Sequence, residues 1–147
     1  MNIKTLFQSI SFSLFGLLIS INTFAGEYLP QKVVYHINYD DNKRISATFT
    51  NITNHINELG EDRVKIKAVI HGPAIKYFLD AMNDEAKQTA IDSLRLSDVQ
   101  FVICGNSLDG FKITREDLYD VEETDVVKAG LPEIVSLQQQ GYFYVRP

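Results

Sequence analysis

Val99-Gln100-Phe101-Val102-Ile103-Cys104, running directly into Gly105-Asn106-Ser107, decides how this chain is read. It is a short, almost continuous apolar run, rich in β-branched and aromatic residues and stopped by a glycine and small polar residues. Such a run suits a strand covered on both faces, the kind found in parallel sheets. Two more segments read the same way. Lys32–Asn38 contains Val33-Val34-Tyr35-His36-Ile37, and Val64–Ile70 begins as an alternation and ends continuous. Thr124–Val127 and Tyr142–Val145 are weaker strand candidates.

Helical patterns fill the gaps. Ile45, Phe49, Ile52, Ile56 and Leu59 recur at steps of four and three, one apolar stripe along a helix that Gly60 ends. Ala74–Met82 predicts a short helix with Pro73 in its first turn. Asp84–Leu94 predicts another, with Ala86, Ala90, Ile91 and Leu94 inward. Thr114 and Asp117 have the spacing of a capping pair, and Pro132 and Gly141 bracket a last helix over Leu131–Gln140. Strands alternating with helices imply right-handed crossovers. The expected fold is therefore α/β: three layers, a mainly parallel five-stranded sheet, and helices on both faces. The pattern carries no strand order.

The N-terminus reads as a leader. Met1–Lys4 is a short positive region, Leu6–Ile21 is mostly apolar, and Thr23-Phe24-Ala25 offers small residues for cleavage before Gly26. Residues 1–25 are thus expected to be a signal peptide and 26–147 a single domain, periplasmic or secreted. Gln8, Ser9, Ser11 and Ser13 dilute the run that a membrane anchor would need. No stable anchor is expected after cleavage. The formal charge of −5 and the lack of a basic run weigh against nucleic acid and anionic membrane surfaces as partners.

One cysteine excludes an intramolecular disulfide. In an oxidising compartment such a thiol is buried and inert, paired with another molecule, or reactive. The histidines and the cysteine have no metal-ligand spacing, and Asn38–Arg44 has no glycine for a phosphate loop, so no metal or cofactor is expected. In open α/β sheets, ligands collect beyond the carboxyl ends of the strands. Asn38, Tyr39, Asp40 and Asp41 fall there after the first strand, His71-Gly72-Pro73 after the second, and Cys104-Gly105-Asn106-Ser107 after the third. If the strands are neighbours, these groups share one rim. Backbone N–H groups after Cys104 would stabilise a thiolate, and Gly105 would let a substrate or a partner's sulfur approach. The plainer expectation is a buried structural thiol. His71 could serve as an acid–base partner, or could cap the strand end and bond local backbone. His36 reads as a satisfied core residue, and His55 as lying near the surface.

His71-Gly72-Pro73-Ala74-Ile75-Lys76, Val99–Cys104 with Gly105-Asn106-Ser107-Leu108, and the terminal Leu137–Pro147 together resemble the DsrE/DsrF-like family, closest to its exported branch. That resemblance implies a three-layer, flavodoxin-related parallel fold and frequent homotrimers or hexamers. It also implies sulfur carried as a persulfide on a cysteine at the position of Cys104. The family's sulfur-relay members are cytoplasmic, whereas this chain has a leader, and it lacks a second cysteine.

Three functions follow as expectations. In the first, Cys104 binds or carries sulfur, exchanging it with a thiol or sulfur-carrier partner protein, while His71 orients or polarises. Asn38, Asp40, Gly72, Gly105 and Asn106 would line the ligand site. In the second, the chain is a non-enzymatic ligand-binding or assembly module with Cys104 as packing. The third, a hydrolase or transferase using His71 with Asp40 and Asp41, lacks a nucleophile–base spacing.

Overall fold

A computed structural model describes residues 28–147. The leader expected over residues 1–25 lies outside the described residues.

Five strands form one sheet: β1 (Gln31–Ile37), β2 (Val64–Ile70), β3 (Gln100–Cys104), β4 (Val126–Val127) and β5 (Phe143–Val145). Their order is β4-β3-β2-β1-β5, and every pair is parallel. The first three strands are therefore neighbours, as the shared rim requires.

Helix α1 (Asn42–Leu59) buries the expected stripe Ile45, Phe49, Ile52, Ile56 and Leu59. The Asp41 carboxylate caps it by accepting from Arg44 N at 3.0 Å, and Gly60 ends it at a φ of +88°. A 3-10 turn over Gly72–Ile75 leads into α2 (Lys76–Ala81), so the helix expected from Ala74 starts more tightly wound. Helix α3 (Glu85–Leu96) is capped by Asp84 and buries Ile91 and Leu94, with Ala90 packed partly against the core. Ala86, expected inward, is exposed in the first turn, before the helix reaches the sheet.

The glycine and small polar residues that stop the apolar run after Cys104 form a helix, α4 (Gly105–Phe111). Its glycines, Asn, Ser and Asp are poor helix formers. Tertiary ties override them: Leu108 packs into the core, and the Ser107 hydroxyl accepts from Gly72 N at 2.7 Å. Thr114 and Asp117 do form a capping box, but it closes a 3-10 turn over Arg115–Asp117. Helix α5 (Gly130–Gln139) has Pro132 in its first turn, and Gly141 follows its end.

Helices lie on both faces, unevenly. One face, with Tyr35, Ile37, Ile70, Phe101 and Ile103, belongs to a large core that takes in α1, α2, α3 and α4. The other presents Val34, Val69 and Val102, which among the described residues meet Ile134 and Leu137 of α5, with Val127 and Tyr142 at the margin. No helix among the described residues is long and apolar enough to cross a membrane.

Candidate functional site

Cys104 closes β3, takes the N-cap position of α4, and is 5% exposed. Its neighbour across β2 follows from register: Ile70 pairs Ile103, so His71, still extended at φ −147°, continues the ladder beside Cys104. The first residue of α5 sits over both. A β-carbon on Gly130 would come within 3.2 Å of His71 Cβ and 3.3 Å of Cys104 Cβ. The thiol therefore lies against the first residues of α4 and α5.

The His71 ring does not bond local backbone. It meets His36, with Nε2 to Nε2 at 2.5 Å, and His36 Nδ1 contacts the Tyr144 hydroxyl at 2.6 Å. The ring centres are 4.7 Å apart with planes at 19°, and this separation exceeds that of the nitrogens by the two centre-to-nitrogen radii. The imidazoles are thus edge to edge in nearly one plane, with lone pair and N–H aimed at each other, as a hydrogen bond requires. Burial, then His71 and Arg146, lowers His36 to about 4. Burial, then Arg146, lowers His71 below its ordinary value. Both rings are neutral at pH 7, each with one N–H and one lone pair.

Asn38 joins this end of the sheet, its Oδ1 accepting from Arg146 Nη2 at 2.7 Å. Gly72, at a φ of +56°, is the hinge between His71 and the 3-10 turn. Four of the expected features differ. Asp40 turns to Lys76 at 2.6 Å and lines a separate groove with Phe111 and Ile113. Asp41 is spent on the α1 cap, so neither carboxylate bonds His71 and the hydrolase arrangement is absent. Gly105 does not open an approach for substrate: a β-carbon there would meet Val127 O at 3.1 Å, so the space already holds backbone. The Asn106 N–H is likewise committed, to Lys128 O at 3.0 Å. The Asn106 side chain is exposed between two grooves of about 440 and 380 Å³ that also share Val127 and Lys128.

His36, Tyr144 and Arg146 are the site residues that sequence reasoning missed. His55, read as near the surface, is half-buried and bonds Tyr35 and Gln31, tying α1 to β1. Among the described residues no group of three or more His, Cys, Asp or Glu side chains is placed to hold a metal ion.

A thiol on an interior strand, at the carboxyl rim of a five-stranded parallel sheet, is the arrangement the sequence resemblance implied. The DsrE/DsrF-like family model matches residues 31–147. The chain belongs to the DsrE/DsrF-like family. Among solved structures, this DsrE-like chain is similar to a protein of unknown function from Methanobacterium thermoautotrophicum. The two share 28% identity at a TM-score of 0.69, over 80% of this chain and 99% of the other. A conserved protein of unknown function from Bacteroides thetaiotaomicron shares the fold at 15% identity and a TM-score of 0.55, over 80% and 95% of the two chains. A search of curated proteins returns no match.

Proposed function

We propose that this DsrE-family protein accepts and passes on sulfane sulfur through Cys104. The observation that carries the reading is the thiol's place at the end of β3, against the first residues of α4 and α5 and beside His71. In the loading step, the Cys104 thiolate attacks the outer sulfur of a donor persulfide. A new S–S bond forms to Cys104, the donor's S–S bond breaks, and the donor leaves as a thiolate carrying that electron pair. The thiol proton leaves to a base before attack, and His71 is the neutral imidazole beside it. An acceptor thiolate repeats the displacement and restores Cys104. With the leader expected over residues 1–25, this chemistry would run in the periplasm or outside the cell, where a persulfide needs the cover of an element such as α5.

One observation favours a second reading. Cys104 is 5% exposed and neither neighbouring groove touches its side chain, as suits a packing cysteine in a ligand-binding or assembly module. The two readings separate on one experiment. The purified protein is mixed with a small persulfide donor and weighed intact. The sulfur reading expects the mass of one added sulfur atom, lost on reduction and absent in Cys104→Ser. A thiol that takes up neither sulfur nor an alkylating reagent until the protein is denatured would replace it with the packing reading.

A further inference from the structure

Four neighbouring strands contribute one row of side chains across the carboxyl end of the sheet. Cys104 ends β3, His71 follows β2, His36 lies in β1 and Tyr144 in β5. The last three are joined by hydrogen bonds: His71 Nε2 to His36 Nε2 at 2.5 Å, and His36 Nδ1 to Tyr144 Oη at 2.6 Å. Both nitrogens of His36 are therefore engaged, as is one of His71. Among the described residues, His71 Nδ1 is the one ring nitrogen of the row without a protein hydrogen bond.

An imidazole's tautomer is set by the hydrogen bond its other nitrogen makes. Two nitrogens in contact share a single proton, so the tautomers of His36 and His71 are coupled. We propose that Tyr144 and His36 are positioning residues that hold His71 in its Nε2–H tautomer, leaving Nδ1 as the base for Cys104. His71 Nε2–H then donates to His36 Nε2, His36 Nδ1–H donates to Tyr144 Oη, and the Tyr144 hydroxyl donates to water. Tyr144 suits that end of the row because it is 43% exposed. His71 Nδ1 takes the thiol proton directly or through one water.

The surroundings keep the row neutral. Arg146 at the end of β5 acts on both imidazoles and opposes a positive ring. The other charged side chains on the elements packed here are Lys32 in β1, Lys65 and Lys67 in β2, Asp109 in α4, Lys128 ahead of α5, and Glu133 in its first turn. Among the described residues no carboxylate bonds either imidazole, and the acidic partner that usually fixes a catalytic histidine is replaced by a second histidine and a phenol.

The inference takes from the proposed function only that Cys104 must lose its proton in order to act. Its test is ¹⁵N correlation spectroscopy of the histidine side chains at pH 7.5, alongside the sulfur-loading rate. The wild type is expected to show His71 protonated at Nε2 and His36 at Nδ1. Tyr144→Phe removes the last acceptor, and the exposure of Tyr144 lets the fold survive. It should mix the tautomers of both rings and slow loading about 10-fold, the low end of what a general base contributes. Adding His36→Glu to Tyr144→Phe should restore both the His71 tautomer and the rate, because an ionised carboxylate only accepts and holds His71 Nε2–H without help. A purely structural role predicts no such rescue. An Nδ1–H tautomer of His71 in the wild type, or tautomers unchanged in Tyr144→Phe, overturns the inference. If the tautomers behave as stated while Cys104 never takes up sulfur, the row stands and the sulfur function falls.

Discussion

The His36 ring is 7% exposed and both its nitrogens are engaged, so an added proton would be poorly solvated and would break a hydrogen bond. That makes acid stability a residue-scale property. Above its ordinary value of 6.5 the ring is neutral whether the chain is folded or not, and the native arrangement keeps its full stability. As pH falls below that value the unfolded chain takes up a proton first, because the native ring waits until about 4. Stability therefore declines across that window and levels off beneath it, by on the order of 3 kcal/mol from this group. His71 is shifted the same way and adds to the decline. Urea midpoints between pH 6.5 and 5 should fall in the wild type and fall less steeply in His36→Asn, above the range where carboxylates titrate. An equal slope in both would mean that His36 is not the group responsible. His36 shows why the site was only partly legible in the sequence. Cys104 and His71 stand at strand ends and could be read directly. The partnership of His36 with His71 exists only because β1 lies between β2 and β5, and strand order leaves no trace in hydrophobic pattern.

At the scale of elements, the sequence was clearest where burial repeats with a period. The α1 stripe and the apolar runs of β1, β2 and β3 came through because each follows a single periodicity over many residues. β4 is two residues long and gains its definition from pairing Ile103 with Val126 and Cys104 with Val127, which no local signal announces. α4 was hidden for the opposite reason, since its residues favour turns and its helix is imposed by contacts on both sides. The seat of α5 makes a prediction of its own. Gly130 begins that helix with His71, Cys104 and Val69 all within 3.3 Å of where a β-carbon would lie. Gly130→Ala adds a methyl that its three neighbours can take only by giving a few tenths of an ångström, so the first turn of α5 should lift from β2 and β3. The expected cost is about 1–3 kcal/mol, as for other overpacked sites. Chemical denaturation would read that loss, and Cys104 should label faster as its cover loosens. A variant as stable as the wild type, with Cys104 equally protected, would show that α5 is not the element closing the thiol off.

Across the described residues, the sheet has one well-covered face and one that α5 covers with a single layer and Tyr142 beside it. The outer side of α5 carries Leu131 and Val135, one turn apart and both exposed, and on the same face of the sheet the edge strand β5 presents Tyr144, 43% exposed. Large exposed apolar side chains gathered in one region mark an interaction surface. The proposed occupant is another copy of the chain, as the family resemblance implies. Net charge works against that association: copies at −5 repel one another, so only the apolar contact can hold them. Salt screens the repulsion and leaves the apolar term in place. Sedimentation should therefore show a species larger than the monomer that grows with protein and salt concentration, and Val135→Glu should return it to monomer without loss of helix content. A wild-type chain that stays monomeric at high concentration and high salt would leave the patch to another partner. Because Tyr144 lies on the same edge strand, an assembly that covers β5 would also change the solvent at the end of the histidine row. Sulfur loading of Cys104 should then vary with protein concentration in the wild type and lose that dependence in Val135→Glu.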